Sequence, residues 1–207
     1  MRGSDYIIRP EAPSDYRAAE ELTREAFWNV YRPGCTEHYV LHCFREREEF
    51  VPELDLVMEK DGKLIGHIMY ARAEIQADDG RKIPILAFGP ISIEPEYQRK
   101  GYGKILLDDS MKKAADLGAG AICIEGNPDF YGKSGFVTAS TKGIHYFAEP
   151  REAEVPYFLV RELKEGYLNV VTGTYRPPEG YFIDEEEAEQ FDKSFPPKEK
   201  LKLPGQL

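Results

Sequence analysis

The sequence is short of cysteine. It has three, Cys35, Cys43 and Cys123, in 207 residues, and an odd, low number argues against a disulfide framework. It lacks any apolar run near the roughly 18 residues that cross a bilayer. Its N-terminal "MRGSDYIIRPEAPSD" has no apolar signal core, so a cytoplasmic, reduced protein without membrane attachment is expected. It also lacks excess positive charge. At a formal net charge of −10, it is a poor match for nucleic acid, whose phosphates need a basic surface. The acidity is compatible with a cationic substrate and equally with simple solubility. What is present is globular: 42% hydrophobic and 31% charged residues, enough for a core in one domain, with or without an extension.

Along the chain, "DYIIRP" (residues 5–10) reads as a strand stopped by proline. Ser14 is a candidate cap for a helix carrying Leu22, Ala26 and Val30 at helical spacing. "RPG" (residues 32–34) breaks that helix, and a second is expected through residues 36–50 with Thr36 as its cap. Asp61-Gly62 joins two strands, a strong hairpin signal. "IPILAFGPISI" (residues 83–93) is a strand interrupted by Gly89-Pro90, which points to a bulge or an edge. A helix through Ile105, Leu106, Met111 and Leu117 ends at Gly118, and "AICIE" (residues 121–125) is a buried strand. A short helix from Pro128 stops at Gly135, and "YFLVREL" (residues 157–163) is a further strand. The tail holds "DEEEAEQFDK", an acidic helix capped by Asp184.

The densest signal is "EYQRKGYGK", residues 96–104, where two glycines and three basic residues stand between a strand and a helix. A helix N-terminus carries unpaired N–H groups and partial positive charge. Glycines let the backbone approach a bulky anion. The combination reads as a phosphate or pyrophosphate cradle. A P-loop would need Gly-x-x-x-x-Gly-Lys-Ser/Thr, which "GYGKILL" does not supply. A dinucleotide-binding turn would need a third glycine, where Leu106 stands, and glycines directly after the strand. A glycine turn with a solvated basic patch is the plainer alternative.

"QRKGYG" (residues 98–103) meets the signature Gln/Arg-x-x-Gly-x-Gly/Ala, and with its surroundings "GPISIEPEYQRKGYGKILL" it resembles the GNAT superfamily of N-acetyltransferases. "ICIEGNPDFYGKSGF" is similar to that family's next strand and helix. "PGCTEHYVLH" and "ELKEGYLNVVTGTY" further resemble a subgroup of bacterial predicted acetyltransferases. The resemblance covers roughly residues 6–163. It implies an α/β (α+β) fold, a mixed and largely antiparallel sheet with helices on both faces. Residues 1–163 would form the acetyltransferase core. Residues 164–207 lie beyond the pattern and read as a C-terminal extension whose short acidic helix docks on the same domain with Phe191 as anchor, or else reaches the acceptor mouth or a second subunit.

The resemblance also implies a reaction: acetyl-CoA gives its acetyl group to a primary amine by direct attack on the thioester. Ile91, Ser92 and Ile93 would offer backbone groups to the pantetheine arm and thioester carbonyl. Arg99, Lys100, Gly101, Tyr102, Gly103 and Lys104 would hold the pyrophosphate. Asn127 would touch the cofactor, or simply cap the helix ahead of Pro128. Tyr131 matches the family's general acid, a phenol protonated at neutral pH, or it packs against the cofactor. Glu37 and His38 would wall the acceptor site. The general base stays open among Glu74, Glu94, Glu125, His67 and His38. His38 and His42 lie one helical turn apart, as zinc ligands can, but no second metal motif accompanies them, so no metal is expected. The acceptor would be a small-molecule or peptide amine, with a homodimer left open. The competing class is a non-catalytic acyl-CoA-binding sensor with the same fold.

Overall fold

The structure, a computed structural model, describes residues 5–206. Nine strands are present among them: β1 Ile7–Pro10, β2 Leu56–Lys60, β3 Lys63–Ala77, β4 Lys82–Ile93, β5 Ala121–Glu125, β6 Val137–Thr138, β7 Ile144–Tyr146, β8 Phe158–Glu162 and β9 Gly173–Tyr175. The helices are α1 Tyr16–Phe27, α2 Glu37–Phe44, α3 Tyr102–Asp116, α4 Pro128–Tyr131 and α5 Glu185–Asp192. β1-β2, β2-β3, β3-β9, β5-β8 and β6-β8 are antiparallel, while β4-β5 and β7-β9 are parallel. The sheet is therefore mixed and largely antiparallel, flanked by helices, as the resemblance implied.

The chain forms two compact units, and β3, β4 and α3 each run through both. The first comprises the residues to Met69, Pro90–Leu106, and those from Gly180 onward. Its core is Leu22, Val40, Leu41, Phe44, Leu54, Leu56, Met58, Ile65, Ile68 and Leu106, all buried. The β2–β3 hairpin turns at Asp61 and Gly62, with φ of 51° and 76°, the two left-handed residues of a type I′ turn. Gly66 on β3 lets two side chains come close. A Cβ there would lie 2.8 Å from Ile93 Cδ1 and 3.2 Å from Leu106 Cδ2.

The capping of two helices differs from the sequence reading. At α1 the cap position is Asp15, one residue beyond Ser14, and it makes no side-chain cap; its Oδ2 instead accepts from Ala12 N at 2.9 Å, closing the turn before the helix, while Arg9 donates to both its oxygens. Thr36 makes no side-chain cap; instead Glu37 Oε2 accepts from Thr36 N at 2.9 Å. α2 also stops at Phe44, short of residue 50.

The segment from Gly180 packs on α1 and α2 within this unit. Phe191 lies 4.4 Å from the His42 ring and 5.3 Å from Tyr39, centroid to centroid. Arg24, nearly fully buried, donates to both oxygens of Asp192 at 2.6 and 3.2 Å. Trp28 Nε1 and Asn29 Nδ2 both donate to Glu199 O, at 2.9 and 3.0 Å.

The second unit is Tyr70–Gly89 with Leu107–Glu179. Its core gathers Ile75, Ile85, Cys123, Ile144, Phe158, Val160 and Tyr175, with Phe158 and Tyr175 stacked at 5.2 Å. β9 closes on β3 with Gly173 opposite Ala77, where a Cβ would collide with the backbone oxygen of Gln76.

Candidate active site

In the first unit, β4 ends at Ile93 and α3 begins at Tyr102. The loop between them is anchored at both ends, because Ile93 and Leu106 rest on the bare backbone of Gly66. Glu94 N donates to Ile65 O at 2.9 Å, and Gln98 Nε2 folds back onto Ile93 O at 3.0 Å. The first residue of the sequence signature thus closes the loop. At the loop's far end Arg99 (φ 60°) and Gly101 (φ 93°) are both left-handed. A left-handed arginine is a strained choice of the kind stored at ligand sites. A Cβ on Gly101 would meet no protein atom within 4 Å, so it is the left-handed backbone and not crowding by neighbours that calls for glycine there.

The first bond along α3 is Ile105 N to Gly101 O, 3.1 Å, which leaves the amides of Tyr102 and Gly103 at the helix start without an intrahelical acceptor. Arg99, Lys100 and Lys104 are exposed around them. The Tyr102 ring is steadied edge-on by Tyr6 at 6.1 Å and Tyr97 at 5.8 Å. Ahead of the loop, Ser92 is buried and its Oγ donates to Thr23 Oγ1 on α1 at 3.0 Å. Its side chain faces the core, whereas Ile91 and Ile93 are half-buried.

In the second unit, Asn127 caps α4, its Oδ1 accepting from Asp129 N at 2.8 Å. Tyr131 ends α4, half-buried among Phe88 at 5.8 Å, Phe130 at 4.9 Å and Phe136 at 5.8 Å. Its ring lies so close to Gly126 that a Cβ there would overlap Cε2. Sequence reading missed Gly126 as the seat of Tyr131. The signal was a glycine between a strand end and a proline-started helix. Glu125, the last residue of β5, accepts from Tyr146 Oη at 2.8 Å. Desolvation holds its carboxyl above the ordinary carboxylate range, and the Tyr146 hydrogen bond offsets part of that rise.

Glu37 is half-buried, and desolvation raises its carboxyl, opposed by the Thr36 amide and by Arg32. His38 is fully buried, with Nδ1 3.5 Å from Cys35 Sγ and Nε2 3.0 Å from Asp192 Oδ1 but out of hydrogen-bond alignment. Burial lowers its pKa to about 4, so the ring is neutral. Among the described residues, Glu11, Asp55 and His67 bring three metal-ligand types within 4.8 Å, a cluster the sequence did not announce. Arg45 occupies Glu11 there with hydrogen bonds of 3.0 and 2.9 Å. Burial and Asp55 raise the Glu11 carboxyl to about 7, and burial lowers His67 to about 4. No helix among the described residues is long and apolar enough to cross a membrane.

The pattern of the acetyltransferase (GNAT) family matches residues 21–136. The Uncharacterized N-acetyltransferase YjhQ of Escherichia coli K12 is 32% identical over 92 residues, 44% of this chain and 50% of that protein. The chain thus matches about half the length of this curated relative. A GNAT family N-acetyltransferase (YhbS) from Escherichia coli, solved in complex with CoA, superposes with a TM-score of 0.74 at 23% identity, covering 86% of this chain and 93% of that one. A GNAT family acetyltransferase from Brucella melitensis, solved in complex with acetyl-CoA, gives 0.68 at 22% identity, over 85% and 97%. At these identities the two structures show a shared fold. With the family pattern spanning more than half of the sequence, the chain belongs to the GNAT acetyltransferase family.

Proposed function

We propose that the chain transfers an acetyl group from acetyl-CoA to a primary amine. The observation that carries this reading is the loop from Glu94 to Gly101. It is pinned at both ends on Gly66, left-handed at Arg99 and Gly101, open to solvent where a phosphate would lie, and set at the start of a 15-residue helix. The exposed basic residues and the amides at the helix start support a pyrophosphate as its occupant. Arg99, Lys100 and Lys104 would neutralise it, and the amides of the α3 start would bind its oxygens. Ile91, Ser92 and Ile93 would bind through their backbones, since the Ser92 hydroxyl is already committed to Thr23. Structures of family members solved with CoA and with acetyl-CoA support the choice of donor.

Tyr131 would return a proton to the departing thiolate. Its ring is fixed by an aromatic surround of Phe88, Phe130 and Phe136. Asn127 keeps α4 capped while its exposed position leaves it within the cofactor assignment. On the acceptor side, Glu37 would meet the incoming ammonium. His38 would act behind it by packing α2 on the Phe191 and Phe195 rings, at 5.6 and 5.1 Å. The reaction requires no metal.

The test is calorimetric titration of acetyl-CoA into the wild-type chain and into Gly103→Val. Tight binding to the wild type and a clear loss in the variant support the cradle. Equal affinity contradicts it.

A further inference from the structure

Glu11, Asp55 and His67 come from three neighbouring strands of the first unit, and the register puts them on one face of the sheet. β1 pairs with β2 as far as Pro10 opposite Leu56, and one further bond, Glu11 N to Asp55 O at 2.8 Å, continues that ladder. Val57 lies opposite His67 on β3. Asp55 and Val57 are two residues apart on one strand, so all three side chains leave the same side. Their polar atoms converge. His67 Nε2 stands 2.7 Å from Asp55 Oδ1 and 3.8 Å from Glu11 Oε1, and one ligand atom of each lies within 4.8 Å of the others. A tetrahedral ion with bonds of about 2.0–2.1 Å sets its ligand atoms roughly 3.3–3.4 Å apart. The two separations fall on either side of that spacing.

Charge points the same way. The carboxylates of Glu11, Asp55 and Glu20 are buried, and so is the guanidinium of Arg45 between them. Arg45 donates to Glu11 at 3.0 and 2.9 Å and to Glu20 at 2.7 Å, and it lies 3.9 Å over the Tyr16 ring. His42, half-exposed at the edge, places Nδ1 2.9 Å from Glu20 Oε1. Three buried carboxylates against one buried guanidinium leave two negative charges in the interior, where a charge needs a partner or a metal. One dication brings the sum to zero. Arg45 need not leave, because a ligating carboxylate is ordinarily hydrogen-bonded from behind.

The titration of the cluster agrees. Burial lowers the pKa of His67 to about 4, so its ring is neutral, as a metal ligand must be. Its Nδ1 has no hydrogen-bond partner among the described residues, so no second contact fixes the ring proton. Burial, followed by Asp55, raises the Glu11 carboxyl to about 7, the response of a carboxylate short of a cation.

We propose that Glu11, Asp55 and His67 form a site for one divalent transition-metal ion of zinc type, with Arg45 holding Glu11 in place behind it. One imidazole nitrogen and two carboxylate oxygens are ligands that zinc accepts. The ion would pin the exit of β1 to the start of β2 and to β3, a structural role outside acetyl transfer. The acetyl-transfer reading does not depend on it.

The experiment is zinc chloride titrated into the chelator-stripped full-length chain, read by calorimetry and by melting temperature after overnight incubation. One ion per chain and a raised melting temperature are expected. More protons should be released per zinc at about pH 6 than at about pH 8, because Glu11 must give up its proton to bind. His67→Gln and Asp55→Asn should each lose more than the ~10–100-fold in zinc affinity typical of an outer-shell change. His42→Gln should keep the wild-type affinity. No stoichiometric zinc and an unmoved melting temperature overturn the site and leave a proton on Glu11 as the balancing cation. Wild-type affinity in both His67→Gln and Asp55→Asn also overturns it, by placing the ion elsewhere. If those variants do not fold, cobalt(II) in the wild-type chain decides. Visible bands without a thiolate charge-transfer band support the site, and a thiolate band puts the ion on cysteine and overturns it.

Discussion

Gly126 and Tyr131 share one space: the Tyr131 ring occupies the position that a side chain on residue 126 would take. The phenol is held against backbone, between Phe88, Phe130 and Phe136. Gly126→Ala must then push the ring aside. Overpacking of this sort costs about 1–3 kcal/mol. We expect a lower melting temperature and a larger fractional loss in turnover than in acetyl-CoA affinity. Wild-type turnover in a folded Gly126→Ala would show that the ring's placement is irrelevant to chemistry.

Tyr131→Phe leaves the packing and removes the proton donor. Turnover is expected to fall ~10²–10⁴-fold with unchanged acetyl-CoA affinity. Equal turnover, with chemistry shown to limit the rate, would reduce Tyr131 to a packing role.

Asp192 is the partner of Arg24, a guanidinium with 3% side-chain exposure that also lies 4.2 Å from the Trp28 ring. Asp192→Ala leaves that charge buried and unpaired, a loss on the order of 3–5 kcal/mol. Truncation after Gly180 removes the same contact together with Phe191 and the Glu199 carbonyl. Both variants are expected to melt lower and to keep acetyl-CoA affinity. A truncated chain that melts like the full chain but discriminates differently among amines would place the segment in the acceptor site instead.

His38 and His67 both titrate near 4 in the folded state because burial disfavours their charged forms. The unfolded value is near 6.5, so the unfolded chain binds these protons first. Their contribution to stability is complete above pH ~6.5 and is lost as pH falls toward ~4. The Glu11 carboxyl, raised to about 7, has the opposite slope: its contribution falls as pH rises from ~4.5 to ~7, which flattens the net profile over the shared window. Ring-proton resonances of His38 and His67 should stay fixed between pH 7.5 and about 5.5. Titration of either near pH 6.5 would contradict their burial.

The elements written in local chemistry were legible. Asp61-Gly62 announced its hairpin, Gly118 ended α3, and "QRKGYG" marked the strand–loop–helix cradle before any coordinates. Strands β6, β7 and β9 went unread. They are two or three residues long, and β9 exists because Gly173 lets it lie against Ala77, nearly a hundred residues away. The start of α2 was read correctly at Thr36 and that of α1 one residue early at Ser14, but neither hydroxyl makes a cap, because the neighbouring carboxylates of Asp15 and Glu37 take the nearby amides of Ala12 and Thr36.

The site was legible in part, for the same reason. The loop is a contiguous motif, but the partners of the five candidate bases are remote in sequence. Asp55 bonds His67, Phe191 and Phe195 pack on His38, Lys63 and Lys82 pair with two carboxylates, and Tyr146 reaches Glu125 from another strand. No spacing rule encodes those pairings. The Glu11–Asp55–His67–Arg45 cluster was hidden likewise, its members coming from the end of β1, the start of β2, the middle of β3 and the exit of α2.

The most direct measurement is an unbiased amine screen with acetyl-CoA and the wild-type chain, following free CoA thiol and N-acetylated product together. The account predicts that at least one amine gives thiol and amide in equal amounts, at a rate proportional to protein and abolished or sharply reduced in Tyr131→Phe. Tight acetyl-CoA binding with no thiol release above hydrolysis for any amine would contradict it and leave a sensor built on the same fold.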